Sequence, residues 1–404
     1  MKELEQKYIE LLLKRCMNLK KGDILFLSYD IANQRFADDI DEYAKKMGIR
    51  EVYHDKSNIY EKKEALKNMD KEDIKKSSMF DSSIWDDYAK KNASFLMISS
   101  EFPKVLDDID VELVAESSKV KMESKPLYKK KQKDNELTWL IAVYPNRVWA
   151  QDKFPELSEE EAFKKLFDLM MEVTLCKEED PISAWNKQLE IGQEKMQKLN
   201  DMHIKTLHYT NDLGTDLTVE LSKKAVWQSA GSDDFSKIVN MPSYEVFTSP
   251  DYRLTNGIVY SSKPLVYNSS LIEDFWLKFK DGKVIDFDAK TGKDLLKKII
   301  EGDEGSSRLG EIALVGKNSP IAKTNFIFGE TCLDENASCH IALGAGFMEC
   351  IDKALEMEKT DLEKLGLNDS KNHVDFMIGT DDLCIEATTE DGNILIFKDG
   401  EFNI

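Results

Sequence analysis

The sequence has few cysteines and no long apolar run, and both absences restrict the class of protein. Its 404 residues include six cysteines, with no Cys-x-x-Cys pair and no framework spacing. In a chain of this length, that pattern predicts reduced thiols in a cytosolic protein. No apolar run approaches the roughly 20 residues that a membrane-spanning helix needs, and the charged N-terminus lacks the apolar core of a signal peptide. We therefore expect a soluble, cytoplasmic protein.

Basic residues are fewer than acidic residues. The chain has 56 Lys and Arg residues against 76 Asp and Glu residues, which gives a formal net charge of -20. Such an excess of negative charge argues against nucleic acids and anionic membranes as the main partners. The one basic stretch, residues 125–133, is flanked by acidic sequence and is predicted to be a solvated loop.

Several catalytic motifs are missing. The chain has no His-Glu-x-x-His, which excludes a helix-borne zincin site, and no Gly-x-Ser-x-Gly, which leaves an α/β-hydrolase nucleophile without a candidate. Residues 310–317 resemble a P-loop only loosely, because the segment is one residue too long and Asn318 follows where Ser or Thr is needed. The Gly344-Ala345-Gly346 segment lacks the third glycine of a dinucleotide-binding turn. Nucleotide chemistry is therefore poorly supported.

The length and the pattern of apolar runs predict two domains. In residues 1–182, short continuous apolar runs alternate with helical segments, which favours an α/β domain with a mainly parallel sheet. Residues 183–404 begin with a helix and are then rich in strands, with hairpin signals at Asp281-Gly282 and Asp391-Gly392. We expect an α+β second domain there.

Five side chains of metal-ligand type lie in this second half. They are three carboxylates and two imidazoles: Glu245, Glu311, His340, His373 and Asp375. A hydrolytic enzyme can build a pair of divalent metal sites from such a set. Mixed nitrogen and oxygen ligands suit zinc, cobalt or manganese better than calcium, which takes oxygen ligands.

Taken one by one, these residues are each compatible with an ordinary structural role. His373 and Asp375 are two residues apart on a predicted strand and share a face, but a surface histidine beside a partly exposed aspartate has the same pattern. His340 is predicted near the start of a helix, where His340, Gly344 and Phe347 share a face, but a packed or capping histidine also fits. Glu335 is expected to serve the helix N-terminus or an outer hydrogen bond. Pattern alone leaves a dinuclear site as one hypothesis among several.

Four motifs in order resemble the thermophilic-metalloprotease family of aminopeptidases. They are residues 242–250 (PSYEVFTSP), 308–315 (RLGEIALV), 334–344 (DENASCHIALG) and 373–379 (HVDFMIG). The likeness also includes residues 21–23 (KGD) and 213–218 (LGTDLT). It runs almost from end to end of the chain.

The resemblance implies roles for individual residues. It makes Glu245, Glu311, His340, His373 and Asp375 the ligands of two divalent metals, in a two-domain subunit that forms a homodimer and acts on peptides. One position departs from the family: Phe347, seven residues after His340, stands where the family typically has a catalytic tyrosine. A phenyl ring cannot donate a hydrogen bond, and the loss of one such donor typically costs about 10²–10³ in rate.

From the motifs and the resemblance together we expect a metal-dependent aminopeptidase, with Glu311 as the first hypothesis for the proton shuttle. Two alternatives remain at this point. Phe347 motivates a protein that binds metal and peptide with reduced or lost turnover. The first-half pattern alone motivates an α/β ligand-binding protein or oxidoreductase, which the missing glycine-rich fingerprint weakens.

Overall fold

The computed structural model of the protein describes residues 1–231, 238–267 and 270–404. The chain divides into two compact units, of which the first contains residues 1–185 and 233–242 and the second residues 186–232 and 243–404. The sequence pattern places residues 238–242 in the second domain, whereas their contacts place them in the first unit. The domain boundary at residues 182 and 183 stays a prediction. None of the helices in the described ranges has the length and apolar character needed to cross a bilayer.

The described residues form fourteen α-helices and nineteen strands. The helices are α1 (Lys2–Glu10), α2 (Gln34–Met47), α3 (Ile59–Lys67), α4 (Lys71–Lys76), α5 (Ile84–Lys90), α6 (Val111–Glu123), α7 (Pro126–Lys133), α8 (Arg147–Lys153), α9 (Glu159–Val173), α10 (Pro181–Asp201), α11 (Lys293–Ile300), α12 (Pro320–Thr324), α13 (Thr331–Asp334) and α14 (Lys359–Lys364). The strands are β1 (Ile24–Asp30), β2 (Glu51–Ser57), β3 (Ser94–Ser99), β4 (Trp139–Val143), β5 (Thr206–Thr210), β6 (Asp216–Leu221), β7 (Gln228–Ser229), β8 (Asn240–Met241), β9 (Val246–Thr248), β10 (Pro250–Tyr260), β11 (Leu265–Tyr267), β12 (Ser270–Lys280), β13 (Lys283–Thr291), β14 (Leu309–Leu314), β15 (His340–Gly344), β16 (His373–Met377), β17 (Cys384–Thr389), β18 (Gly392–Lys398) and β19 (Glu401–Phe402).

The first unit is built on a five-stranded sheet in the order β2-β1-β3-β4-β8. Each of its four pairings is parallel. The first four residues of β1 are all buried, as are most residues of β3, which is typical of strands covered on both faces. These features confirm the predicted α/β fold with a parallel sheet.

The basic stretch, residues 125–133, contains helix α7 instead of the predicted loop. Pro126 occupies a position at the start of the helix, where its missing N–H and fixed φ angle are harmless, and the lysines that follow are good helix formers. Tyr128 is buried, and the Nζ atom of Lys125 lies 3.5 Å from the centroid of the Trp85 ring. The loop prediction was wrong because it relied on the charge of the segment and did not consider that Tyr128 and Lys125 pack against the first unit.

The second unit contains two antiparallel sheets. One has nine strands in the order β11-β12-β10-β6-β5-β17-β18-β19, with β13 paired to β12, and the other has five in the order β16-β15-β14-β9-β7. Apolar side chains from both sheets belong to one buried cluster, which includes Leu207, Val219, Ile312 and Ile341. Hairpins join β12 to β13 and β17 to β18 at the predicted turns. The predicted strand-rich second half is therefore confirmed.

The segment around His340 is a strand and not the predicted helix. Residues 340–344 form β15, which is buried along its whole length and pairs with β14 on one side and β16 on the other. A short, fully buried run fits either a strand or a buried helix by periodicity, and here pairing on both edges decides for the strand. The helical turns come earlier, in α13 and in the 3₁₀ turn Glu335–Ala337.

Candidate metal centre

The five candidate ligands come from neighbouring strands of the five-stranded sheet. Glu311 lies on β14, His340 opens β15, His373 and Asp375 lie on β16, and Glu245 directly precedes β9. Because successive side chains of a strand alternate between its faces, the burial of Val374 and Phe376 in the core turns His373 and Asp375 to the opposite face. His373 and Asp375 therefore share one face of the strand, as predicted.

Small residues leave room between the ligands on this face. Glu311 is the cross-strand partner of Ala342, and Ala342 is the partner of Asp375, so one methyl group lies between two carboxylates. In the next row, Ala313 is the partner of His340. Directly opposed residues point to the same face of a sheet, so larger side chains at these alanines would fill the space that a ligand needs.

The ligand atoms form two groups that share one residue. Glu245, Glu311 and His340 form the first group, and Glu311, His373 and Asp375 form the second; the ligand atoms of each group lie within 4.8 Å of one another. The His340 Nε2 atom is 3.1 Å from Oε2 of Glu245, and the His373 Nε2 atom is 3.1 Å from Oε2 of Glu311 and 3.2 Å from Oδ1 of Asp375. Glu311 is the only member of both groups, which places it between two potential metal positions.

Both imidazoles are oriented by backbone carbonyls. The Nδ1 atom of His373 is 2.8 Å from the carbonyl oxygen of Ala345, and the Nδ1 atom of His340 is 3.3 Å from that of Ser338. A carbonyl oxygen can only accept, so each Nδ1 carries the proton and donates. Each Nε2 faces carboxylate oxygens, which also only accept, so it carries a proton in this cluster and is the nitrogen that would bind a metal once that proton is lost.

Burial and mutual charge shift the pKa values of these groups strongly. Desolvation raises the pKa of Glu311 to about 7, with the hydrogen bond from His373 acting against it. Burial alone would lower the pKa of His340, but its contact with Glu245 outweighs burial and raises the value to about 9. Burial likewise opposes the lowered pKa of Asp375, which the positive charge of His373 produces. The protons on the two imidazoles and the raised pKa of Glu311 therefore reduce the repulsion between carboxylates that are buried close together.

Glu335 adds a fourth buried carboxylate, which the sequence does not place in the ligand set. It is 8% exposed, and burial raises its pKa well above the ordinary value, reinforced by the negative charges of Asp375, Glu245 and Glu311. It belongs to neither group of three ligand atoms. Of the two expected roles of Glu335, the one at a helix N-terminus does not account for this electrostatic proximity to three of the ligands, whereas an outer hydrogen bond beside the ligands is compatible with it.

Phe347 borders the site, but it does not lie on a helix with His340 as the sequence predicts. It follows β15 in a turn, where its backbone N–H donates to Oγ of Ser249 at 2.8 Å. Its ring centroid lies 4.8 Å from that of His373 and 5.6 Å from that of Phe247. Gly344, predicted on the same helical face as His340, instead ends β15 with a φ of +110°, where an added Cβ atom would lie 2.1 Å from the carbonyl oxygen of Asn372.

The arrangement fits a divalent cation. The Oδ1 atom of Asp375 is buried, and it has a charged neighbour, Nε2 of His373 at 3.2 Å, but no well-aligned hydrogen bond among the described residues. Such an atom is costly to bury unless it is paired or binds a metal. Two ligand atoms that bind the same tetrahedral ion at about 2.1 Å lie roughly 3.4 Å from each other. The imidazole nitrogens and carboxylate oxygens of this site are 3.1 and 3.2 Å apart, which is close to that spacing.

The structure thus brings all five predicted residues together, and it adds Glu335, Ala313 and Ala342. A signal for the alanines was present in the sequence. Glu311-Ile-Ala313 and His340-Ile-Ala342-Leu-Gly344 alternate a ligand or small residue with a large apolar one. That period of two is typical of a strand with one functional face. It also argues against a helix at His340.

The chain is similar to known proteins along its whole length. The family model described as thermophilic metalloprotease (M29) matches residues 1–402. The chain is 39% identical to aminopeptidase AmpS of Bacillus subtilis over 78% of each chain, and 35% identical to aminopeptidase 2 of Geobacillus stearothermophilus over 99% of this chain and 98% of the relative. It is also similar to the solved structure of wild-type AmpT from Thermus thermophilus, with a TM-score of 0.90, 28% identity and coverage of 100% of this chain and 99% of that one. The chain belongs to the thermophilic metalloprotease family M29 and is a peptide hydrolase with a divalent metal cofactor.

Proposed function

We propose that this protein is an aminopeptidase that removes the N-terminal residue from peptides with the help of two divalent metal ions. The observation that carries the proposal is the pair of three-ligand groups that share Glu311. The relatives support the type of reaction, because they carry the name aminopeptidase.

Each metal position has its own set of side chains in this proposal. Glu245, Glu311 and His340 would hold one ion, and Glu311, His373 and Asp375 the other. Three carboxylates with two imidazoles suit zinc, cobalt or manganese. A divalent ion supplies Lewis-acid chemistry here: it lowers the pKa of a water molecule and polarises a carbonyl oxygen.

The carboxylates have a second function, the binding of the substrate amine. Glu335 adds a fourth carboxylate to the three that belong to the ligand groups, and all four are at most 9% exposed. Because two divalent ions would neutralise the charge of the carboxylates that hold them, the free N-terminal amine is proposed to be held by Glu335, which lies outside both ligand groups, whereas an acetylated N-terminus has no charge to offer it. The site therefore favours peptides with free N-termini, which defines an exopeptidase.

Proton transfer needs a carboxylate that accepts a proton from water and delivers it to the leaving amine. Glu311 is the hypothesis that the sequence suggests. However, membership of both ligand groups engages its oxygens. Glu335 stands outside both groups and is a competing candidate for the same role.

Substitution of each carboxylate separates these roles. Glu311→Gln is expected to lose metal, measured by elemental analysis, and turnover, measured as release of the first residue. Glu335→Gln is expected to retain metal; a fall of about 10²–10⁴ in kcat would assign proton transfer to Glu335. Glu390→Gln removes the same charge from a glutamate whose side chain is 78% exposed and serves as the control. A Glu311→Gln variant with full metal content and full turnover would contradict both the ligand role and the shuttle role of Glu311.

The subunit arrangement is proposed from the family resemblance. We infer a homodimer in solution, as that resemblance implies.

A further inference from the structure

The orientation of His373 depends on a short backbone segment outside the ligand set. The Nδ1 atom of His373 donates to the carbonyl oxygen of Ala345 at 2.8 Å. Ala345 is the middle residue of the segment 344–346, which begins at the last residue of β15. The residues that hold this segment in place therefore also set the direction in which Nε2 of His373 points.

Asn368 holds this segment on both sides of Ala345. Its side-chain Nδ2 atom donates to the carbonyl oxygen of Gly344 at 2.6 Å, and its backbone carbonyl oxygen accepts from the N–H of Gly346 at 2.9 Å. The Nδ2 atom also donates to the carbonyl oxygen of Gly305 at 2.9 Å, so both of its protons are used. Carbonyl oxygens cannot donate, so the nitrogen of the amide and not its oxygen has to face them.

These hydrogen bonds connect three parts of the five-stranded sheet. Gly305 lies in the 3₁₀ turn before β14, Gly344 ends β15, and Asn368 itself lies five residues before β16. Asn368 and both glycines are buried, so the loss of the amide would leave two carbonyl oxygens without a partner or open to water. Asn368 therefore joins the end of β15 to the segments that precede the strands of Glu311 and His373.

Strand β14 lies against the same segment. A Cβ atom at Gly310 would be 2.1 Å from the carbonyl oxygen of Ala345 and 2.3 Å from that of Gly344. The register of the pairing between β14 and β15 shifts at this glycine, and such bulges redirect neighbouring side chains. The carbonyl of Ala345 therefore contacts the residue before Glu311 as well as His373.

The imidazole of His340 is oriented at the other end of β15. Its Nδ1 atom is 3.3 Å from the carbonyl oxygen of Ser338, which lies two residues before it in the chain. The segment that Asn368 holds begins at the opposite end of the strand. A change at Asn368 is therefore expected to affect the second ligand group, which contains His373, more than the first.

We propose that Asn368 is a positioning residue for the metal position of Glu311, His373 and Asp375, acting through the carbonyl of Ala345. This assignment rests on the proposed two-metal function. The partners of a metal-binding histidine fix the orientation of its ring, and their loss typically weakens metal binding by about 10–100-fold. A general structural role would weaken both metal positions, whereas a positioning role weakens one.

Two substitutions of Asn368 test the proposal by titration of the metal-free protein with cobalt, followed by visible absorption. Asn368→Asp keeps the size of the side chain but replaces its donor by an oxygen, and Asn368→Ala removes the donor without adding charge. The wild-type protein is expected to bind two ions. In both variants the second ion is expected to bind about tenfold or more weakly, and the first to stay within about threefold of the wild type.

Asn403→Asp is the matched control for these variants. Its Nδ2 atom also donates to a backbone carbonyl oxygen, that of Leu395 at 2.7 Å, but this contact lies in the nine-stranded sheet. The substitution introduces the same charge and removes the same kind of hydrogen bond. It is expected to leave the binding of both cobalt ions unchanged.

Two ligand variants identify the metal position that is weakened. His373→Ala removes a ligand of the second group only, and His340→Ala removes a ligand of the first group only. The absorption spectrum of the tightly bound cobalt ion in Asn368→Asp is expected to match that of His373→Ala and to differ from that of His340→Ala.

The outcomes separate this inference from the proposed function. If the wild-type protein binds fewer than two ions, the two-metal function and the inference both fail. If it binds two and both Asn368 variants bind them as tightly as Asn403→Asp does, the positioning role alone is wrong. Equal weakening of both ions, a spectrum that matches His340→Ala, the same selective loss in Asn403→Asp, or failure of both Asn368 variants to fold also overturns it.

Discussion

At the scale of single residues, the candidate site depends on small side chains as much as on ligands. Ala342 lies between Glu311 and Asp375, and Ala313 lies beside His340. Their methyl groups leave the ligand atoms close enough to share cations. Four carboxylates and two imidazoles meet in this space, where burial raises the pKa values of Glu311 and Glu335 and contact with Glu245 raises that of His340 against the effect of burial.

Phe347 offers a direct test of what one hydroxyl contributes. Its ring contacts that of His373 at a centroid distance of 4.8 Å. Phe347→Tyr is expected to raise kcat by about tenfold or more with little change in KM, because a hydrogen bond to the developing oxyanion forms only in the transition state. Steady-state kinetics on one tripeptide measures both constants.

Phe247→Tyr provides the matched control for this prediction. Its ring packs against that of Phe347 at 5.6 Å, so the substitution adds a hydroxyl to the same aromatic pair. An equal gain in both variants would point to a general effect of polarity. An unchanged or lower kcat in Phe347→Tyr would show that no oxyanion donor is missing at this position.

The residues also differ in how far the sequence alone could identify them. The shared face of His373 and Asp375 follows from strand alternation. Glu245 and Glu311 could not be separated by pattern from the other acidic residues, since the chain has 76; four ordered motifs singled them out. Glu335 was expected at a helix N-terminus or in an outer hydrogen bond, and spacing in the sequence could not decide between them, because its proximity to the ligands depends on how the turn after α13 folds back to the sheet.

At the scale of elements, the central strand β15 determines whether the ligands meet. It pairs with β14 through Ala342 and Glu311 and with β16 through Ala342 and Asp375. The sequence favours a helix here because i, i+4, i+7 spacing and a capping residue are both present. Tertiary pairing on two edges overrode those local signals, whereas the hairpin turns, which depend on local chemistry, were predicted correctly.

Gly344 at the end of β15 tests this element. A Cβ atom there would lie 2.1 Å from the carbonyl oxygen of Asn372, the residue before His373, and the φ of +110° disfavours any L side chain. Gly344→Ala is expected to displace the start of β16 and to weaken metal binding at least tenfold, measured by titration of the metal-free protein. It is also expected to cost about 1–3 kcal/mol of folding free energy, measured by chemical denaturation.

Gly392→Ala is a control that introduces backbone strain without displacing a neighbouring strand. Gly392 has a similar φ of +121°, but nothing lies within 4 Å of a Cβ atom added there. This variant is expected to lose stability and keep its metal affinity. If Gly344→Ala retains metal as tightly as Gly392→Ala does, the end of β15 does not position the ligands.

At the scale of the whole molecule, the fold class could be predicted from the sequence, but the assignment of residues to the two units could be predicted only in part. Apolar runs between helices indicate a parallel sheet because such strands are buried on both faces. The return of residues 238–242 to the first unit depends on β8 pairing with β4, a contact between residues about 100 positions apart that no local pattern reveals. The homodimer and the cytoplasmic location stay predictions.

The charge of the whole chain is consistent with a peptide substrate. A net charge of -20 repels nucleic acids and attracts cationic groups, of which a peptide N-terminus is one. The family model matches residues 1–402, so both units belong to the matched region.

Metal-dependent removal of N-terminal residues can be tested in a single experiment on the whole protein. The metal-stripped protein is incubated with short peptides and with their N-acetylated counterparts, before and after addition of zinc, cobalt or manganese, and release of the first residue is measured. We predict no release without metal, release from free N-termini once metal is restored, and none from acetylated peptides. Two ions bound per chain with no cleavage under any metal would contradict the proposed function, as would equal cleavage of acetylated peptides.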